Sequence, residues 1–511
     1  MSEERFMDKI IEVCLRRGFV NPTAEIYGGA GGFYDYGPLG TLMRQKIIDL
    51  WRQSFVLDED NVYEIAGSTL LPEAVFKASG HLDSFEDPLV QCEKCNSMFK
   101  ADTIIKDAVG KIAEGFSLEE LDKIISENKI NCPNCKGELS KTRDFNLMFK
   151  TEIGSTGGIN GYLRPETAQN IFVNFKRLAN FMRNKLPFGI AQTGPSYRNE
   201  ISPRNFLIRG REFEQMEIEM FYDHDKENEH PRFHEVADIE INVVTREMQE
   251  KGWDEPLKLT TEAAVTEGVI PNQYLAYYLA LETEMLKAMG VPENMFWFRH
   301  MQDNEAPHYS AGNFDLETNL SIGHMEIIGN ALRTDYDLQK HAKASNSSFE
   351  IAMPDGKKVV PHVCEPSLGV GRIFYTVLEN CFREDDRGWT WFQFPPTIAP
   401  LEVAVFPLMK KDGLAELAEE IHQELKDAGY LSFYDESGKI GKRYARADEI
   451  GIPYCVTVDY DSLKEFSVTI RDRDTMKQIK LPLEDLEIAL GELMDGEADF
   501  DEFKEYEQIE K

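Results

Sequence analysis

Apolar residues recur at helical spacing from Leu39 through Leu42, Met43, Ile47 and Leu50 to Trp51, and Pro38 suits the first turn of that helix. A glycine-rich turn, Gly28-Gly29-Ala30-Gly31-Gly32, leads into it. From Phe188 to Tyr222 the pattern becomes that of two strands joined by a polar loop. In the second strand Met216, Ile218 and Met220 share one face, while Phe213, Gln215, Glu217 and Glu219 share the other. An apolar back and an acidic front suit a sheet that packs helices behind and holds a ligand in front. Carboxylates on a partly buried front need a cationic partner, and an ammonium group, a divalent cation or an arginine would each serve. A solvent-facing edge with surface ion pairs gives the same pattern.

Residues 223–294 turn charged and helical, the pattern of an insertion, and strand-like segments return at Gly312–Leu320 and Val359–Glu365. The run Glu365-Pro366-Ser367-Leu368-Gly369-Val370-Gly371-Arg372 then enters a helix whose apolar face is Ile373, Phe374, Val377, Leu378, Cys381 and Phe382. Arg372 near that helix start suits an anion, although a plain strand-turn-helix corner is the commoner meaning of such glycines. The proline-rich stretch Phe394–Pro400 marks a boundary. Beyond it, Leu401–Leu408, Leu431–Tyr434 and Tyr454–Asp459 read as strands and Leu414–Ala428 as a helix, which predicts a small α/β domain with a partly parallel sheet. The expected organisation is a first domain over 1–395 with insertions at about 81–156 and 223–294, a second over 396–494, and an acidic, frayed tail over 495–511.

The chain has 511 residues, 42% hydrophobic and 29% charged, an ordinary globular balance with ample core. No apolar run reaches membrane-spanning length and the opening residues are charged throughout, so neither a membrane span nor an export signal is expected, and the cytoplasm is the expected compartment. Eight cysteines in such a chain raise the question of metal rather than disulfides. Cys92-x-x-Cys95 and Cys132-x-x-Cys135 form two pairs able to close a tetrahedral, structural zinc site around an inserted helix. The formal charge of −34 speaks to solubility and encounter rather than fold. Within it, Lys439, Lys442, Arg443 and Arg446 form a basic cluster suited to nucleic-acid phosphates or, flanked by Asp435, Glu436, Asp448 and Glu449, to a solvated helix face.

A proline-bearing turn into a helix, a strand-loop-strand with paired arginines and a strand-GxGR-helix occur in that order. Together they resemble the three signature motifs of class II aminoacyl-tRNA synthetases. More narrowly, Phe33–Gly40 (FYDYGPLG), Arg164–Gln169 (RPETAQ), Arg198–Asn205, Arg211–Glu219, Thr334–Leu338 and Glu365–Arg372 look like the dimeric glycyl-tRNA synthetase family. That resemblance covers nearly the whole chain and implies an α+β fold: an antiparallel-sheet catalytic domain with zinc-ribbon-like and helical insertions, and a C-terminal α/β anticodon-binding domain. It implies ATP and Mg²⁺, the partners glycine and tRNA(Gly), and a homodimer with the Pro38 region near the contact.

By the same resemblance, Arg198 grips the α-phosphate and Arg372 the γ-phosphate, and Glu326, beside Ile327, binds Mg²⁺. Asn199, Glu200, Ile208, Arg209, Gly210, Arg211 and Glu212 shape the nucleotide site with Phe213 on adenine, and Gly369, Val370 and Gly371 complete it. Glycine falls to Lys100, which stands where the family has arginine, to Glu166, and to the segments Phe213-Glu214-Gln215-Met216-Glu217 and Glu365-Pro366-Ser367-Leu368-Gly369. Ile328 stands where a second acidic residue often occurs. Synthetases for threonine, proline and histidine have a similar final domain, but RPETAQ and EPSLGVGR favour glycine. A non-catalytic relative would be expected to lose the arginines that Arg198, Arg209, Arg211 and Arg372 retain.

Overall fold

The computed structural model describes residues 3–509 except 112, 114, 156–157, 253–254, 304, 306–311, 354–355 and 504–505. The far edge of the cysteine-bearing insertion at Thr156, and parts of the acidic tail, therefore lie outside the described residues. Among the described residues no helix is long and apolar enough to cross a membrane.

A nine-stranded sheet organises the first domain. Its strands are β1 (Val62–Ile65), β2 (Phe188–Tyr197), β3 (Glu212–Tyr222), β4 (Glu240–Val244), β5 (Leu257–Thr260), β6 (Phe296–His300), β7 (Asn313–Leu320), β8 (Gly323–Thr334) and β9 (His362–Gly369). They lie in the order β5-β4-β6-β7-β8-β9-β3-β2-β1. The pairing is antiparallel except between β1 and β2 and between β4 and β6. Helices α1 (Pro38–Arg52), α2 (Ala168–Phe181), α3 (Gln273–Ala288) and α4 (Val370–Cys381) pack on it.

The predicted alternation on β3 holds. Met216, Ile218 and Met220 are buried in the same core cluster as Met43, Ile47 and Trp51 of α1 and Ile373, Phe374 and Val377 of α4. The tight turn into α1 depends on missing side chains, since a Cβ at Gly40 would collide with the Phe19 carbonyl and one at Gly37 with that of Gly18. Any larger residue at either position would push the helix off the sheet.

Residues 223–294 differ from the purely helical insertion that their composition predicts. They hold α3, and they also extend the central sheet by β4 and β5. Most of their charged positions face water, Glu282 on α3 being a buried exception, while Ile241 and Val243 on β4 and Tyr274, Leu275 and Tyr278 on α3 are buried. The pattern was obscured because β4 and β5 are short and one-sided.

The second domain carries β10 (Val403–Pro407), α5 (Leu414–Asp427), β11 (Ser432–Tyr434), α6 (Ile440–Glu449), β12 (Tyr454–Val458), β13 (Ser467–Asp472), β14 (Gln478–Pro482) and β15 (Glu507–Ile509). Its six strands run β11-β10-β12-β13-β14-β15, parallel through the first three and antiparallel thereafter. Among its described residues the tail is packed rather than frayed: Phe500 and Phe503 are buried in this domain's core and β15 pairs with β14. Three aromatics, the third being Tyr506 packed at the cluster's edge, outweigh the acidic repulsion of the tail. The proline-rich boundary is packed as well, with Phe392 and Phe394 stacked at 4.8 Å. The core of the first domain continues through them to Phe406, Ala447 and Ile452.

Candidate active site

The front of the central sheet holds a cavity of about 350 Å³. Its floor is β3, β8 and β9, because the front-facing residues of those strands, Phe213, Gln215, Glu217, Glu326, Glu365 and Ser367, all line it. The loop between β2 and β3 closes one side with Arg198, Glu200, Ile208, Arg209 and Gly210. Gly371 backs onto that loop, where an added Cβ would lie 3.1 Å from the Leu207 carbonyl oxygen. Glu166, Glu214, Ile327, Gly369 and Arg372 also line the cavity, so most of the predicted site residues come together.

The two ends differ in charge. At one end Arg198 donates through Nε to the Pro165 carbonyl at 3.2 Å and lies 5.2 Å from the centre of the Phe213 ring. No carboxylate pairs with it among the described residues. Arg372 reaches the Glu326 carboxylate at 3.0 Å and the Glu326 carbonyl at 2.9 Å. Arg209 is held by Glu200 at 2.8 Å. At the other end, Glu217 accepts hydrogen bonds from the hydroxyls of Thr167 and Ser367, the latter at 2.7 Å. Glu365 and Asp337 pair with the buried guanidinium of Arg333, which lies 2.8 Å from Asp337. Burial works against the charge on Glu166, but His81 at 3.6 Å, Arg333 and a 2.8 Å hydrogen bond from Gln169 hold its carboxyl well below the usual range. Burial, with the charges of Glu365 and Glu166, pushes Glu217 the opposite way, to about 8.

Several of the expected residues lie away from the cavity. Lys100 does not reach the cavity; Asp87 at 3.0 Å and Asp102 at 3.2 Å hold its ammonium beside a smaller neighbouring pocket. A lysine is too compact and too strongly solvated to leave two carboxylates for a distant ligand. The side chains of Met216, Leu368 and Val370 lie in the core behind the sheet, as strand alternation and the inward turn of α4 require. Pro366 is buried and, like Asn199 and Glu212, does not line the cavity. Arg211 is tied to the carbonyls of Glu200 at 3.0 Å and Gly31 at 2.8 Å, so it braces the loop.

Asp315 is the acidic residue the sequence reading missed. Ile328 is fully buried in the core, while Asp315 on β7 lies opposite Gly329 of β8 and lines the cavity. A Cβ placed on Gly329 would be 3.9 Å from a Glu326 oxygen and 4.0 Å from an Asp315 oxygen, so the two carboxylates face one space. Burial, then the charge of Glu326, pushes Asp315 up to about 8, an arrangement that a divalent cation would relieve. The polar alternation Asn313, Asp315, Glu317 is the signal that marks this strand's front face.

The four cysteines of the insertion converge. Their sulfurs all lie within 4.8 Å of one another, with Cys92 and Cys135 3.4 Å apart and Cys95 and Cys132 3.7 Å apart. Zinc–thiolate bonds of about 2.3 Å in a tetrahedron require sulfurs about 3.8 Å apart, so the set fits zinc. The amides of Lys94 and Cys95 point at the Cys92 sulfur, at 3.4 and 3.5 Å. The two helices of the spacer, Ala101–Val109 and Leu118–Glu127, pack a small core of their own.

In the second domain, Arg443 is not a surface cation. It is buried and donates to the carbonyls of Pro407, Leu408, Asp435 and Gly438, while Arg446 pairs with Asp435. Of the basic cluster, Lys439 and Lys442 remain exposed.

Residues 402–493 match the anticodon binding domain family. Over the whole chain, the glycine–tRNA ligase of Methanothrix thermoacetophila is 41% identical, with 97% of this chain and 98% of the relative aligned. Those of Thermococcus gammatolerans and Pyrococcus furiosus are also 41% identical, each over 95% of this chain and 98% of the relative. Among solved structures, prolyl-tRNA synthetase from Cryptosporidium parvum, complexed with halofuginone and AMPPNP, has a similar fold. The TM-score is 0.58 at 16% identity, over 96% of this chain and 76% of that one.

Proposed function

From the premise that this chain belongs to the glycine–tRNA ligase family, we propose that the cavity on the central sheet is where glycine and ATP meet. The enzyme is an ATP-dependent aminoacyl-tRNA ligase. It converts glycine and ATP to glycyl-adenylate and pyrophosphate, then transfers glycine to the 3′ end of tRNA(Gly). The observation that carries the placement is the cavity's polarity, with the guanidinium groups of Arg198, half-buried and without a carboxylate partner among the described residues, and of Arg372, half-buried and paired with Glu326, at one end and the buried carboxylates Glu217 and Glu365 at the other. A triphosphate suits the first end and an ammonium the second.

Neither step needs a protein nucleophile. An oxygen of the glycine carboxylate attacks the α-phosphorus as pyrophosphate leaves, and a terminal hydroxyl of the tRNA then attacks the carbonyl as AMP leaves. What the chain supplies is position and charge. Arg198 takes the α-phosphate, where negative charge grows during attack, and Arg372 takes the γ-phosphate. Phe213 offers its ring to adenine. Glu166, Glu217 and Ser367 receive the glycine ammonium. Glu326 and Asp315 would hold Mg²⁺, which neutralises phosphate charge when bound. Glycine-dependent pyrophosphate exchange, run over a panel of amino acids, tests the reading; exchange with another amino acid but not with glycine overturns it.

The cysteine set holds a structural zinc in this reading, and it belongs to the insertion whose Phe85 and Asp87 flank Arg198 and Arg209. Elemental analysis is expected to return one zinc per chain, and a Cys132→Ser, Cys135→Ser double variant to lose it and to become protease-sensitive between residues 92 and 135. Metal-free wild-type protein with an equally resistant insertion would count against it.

Two chains meet, we further propose, across the outer edge of β1, in a cytoplasmic homodimer. Leu57 is 64% exposed and Phe181 65% exposed, and Phe181 packs edge-on against Tyr63 at 5.3 Å, an apolar patch beside an open sheet edge. The Tyr63→Asp, Phe181→Asp double variant is expected to sediment at half the wild-type mass; an unchanged mass would place the contact elsewhere.

A further inference from the structure

Glu217 and Glu219 on β3 and Glu365 on β9 each bring one oxygen within 4.8 Å of the others, and all three are buried. Three negative charges at that spacing away from water repel strongly. The cations nearby are already engaged. Arg333 on β8 pairs with Glu365 and with Asp337 of the helix Tyr336–Ser345. His81 faces Glu166, and Arg164 donates to the carbonyls of Pro195 and Gly67 and to the Asn170 side chain. Behind them, Glu282 of α3 and the Cys364 thiol add no positive charge. Glu217 has two hydroxyl donors, yet among the described residues no N–H or hydroxyl donor reaches either oxygen of the wholly buried Glu219, which has the Glu365 carboxyl within hydrogen-bonding reach. A carboxyl in that position is explained if it carries a proton and donates it to a neighbouring carboxylate.

We propose that the empty amino-acid site holds exchangeable protons on its inner carboxyls, that Glu219 keeps one permanently as a positioning residue for Glu365, and that the ammonium of glycine displaces the one on Glu217. The inference rests on the reading of this end of the cavity as the glycine site. Burial and the charges of Glu365 and Glu166 raise Glu217 to about 8, and burial raises Glu219 well above the usual carboxylate range. The sign follows. A carboxyl protonated in the empty site below that value, and ionised beside a bound ammonium, releases a proton on binding, so affinity rises with pH and levels off above it.

The test uses full-length, zinc-replete enzyme and two measurements. The first is the glycine KM from pyrophosphate exchange between pH 6 and 8.5, and the second is the proton release on glycine binding, from calorimetry in two buffers of different ionisation heat. For a group titrating at about 8, KM is expected to fall roughly fiftyfold from pH 6 to pH 8, with close to one proton released per glycine at pH 7. Glu219→Gln, which keeps a donor without a charge, is expected to raise the glycine KM no more than threefold and to preserve the profile. Glu219→Leu is expected to raise it more than tenfold while the KM for ATP stays the same. A flat profile without proton release overturns the exchange, and a Glu219→Gln defect as large as that of Glu219→Leu overturns the protonated role. Because the glutamine variant and the wild-type profile stand alone, a leucine variant that fails to fold does not spare the proposal. Absence of glycine-dependent exchange at every pH would instead remove the reading of the site itself.

Discussion

Arg198→Ala is expected to lower kcat for glycine-dependent pyrophosphate exchange by several hundredfold, the cost of removing one preorganised donor, about 3 kcal/mol or somewhat more. The KM values for glycine and ATP should change far less, because the group acts on charge that grows in the transition state. The structure supports this in two ways. The guanidinium is preplaced, by the Pro165 carbonyl and the ring faces of Phe213 and Phe85. It is also uncommitted, without a carboxylate among the described residues to neutralise it. Arg198→Lys should recover only part of the loss, since an ammonium lacks the planar fork and would not stack on Phe213 in the same way. Stopped-flow or exchange kinetics decide the matter. A variant within fivefold of wild type in kcat would mean that another cation faces the α-phosphate.

Arg333→Met is expected to destabilise the first domain by about 3–5 kcal/mol, as removal of one partner from a buried ion pair does. Arg333 is 2% exposed and bridges Asp337 on the following helix and Glu365 on β9, with its guanidinium 5.3 Å from the centre of the Phe172 ring on α2. One cation thus joins three elements below the glycine end of the cavity. Its loss leaves Glu365 and Asp337 without the cation they share. Scanning calorimetry should show the melting transition moving down by several degrees. The companion Arg333→Met, Glu365→Gln variant should regain part of the loss, because it removes one of the stranded charges. An unchanged melting profile in the single variant would show that these carboxyls are neutral without Arg333.

How far the sequence reached depends on the kind of information each feature needs. Helix α1 with its proline turn, the β2–loop–β3 pair, the β9–α4 corner, the cysteine pairs and the strand-helix alternation of the second domain are all local patterns, set by spacing and by turn chemistry over a few residues. They were legible for that reason, and so was the front face of β3, because alternation within one strand fixes which side chains share a face. The order of motifs then carried the functional reading, since several long segments in one sequence leave little room for coincidence.

What required the tertiary structure was every relation between distant segments. Only the register of β7 against β8 brings Asp315 to Glu326, and bulges in both flanking pairings of β8 hide that strand's own alternation. Lys100 was drawn away by Asp87 and Asp102, and Arg443 by four backbone carbonyls, two outcomes decided by which partners lie within reach. By itself the sequence determined which residue types face the ligand and in what order they occur along the chain. The folded chain decided which charges meet and which stay free, because pairing energy depends on separation and burial, and neither can be read from position along the chain.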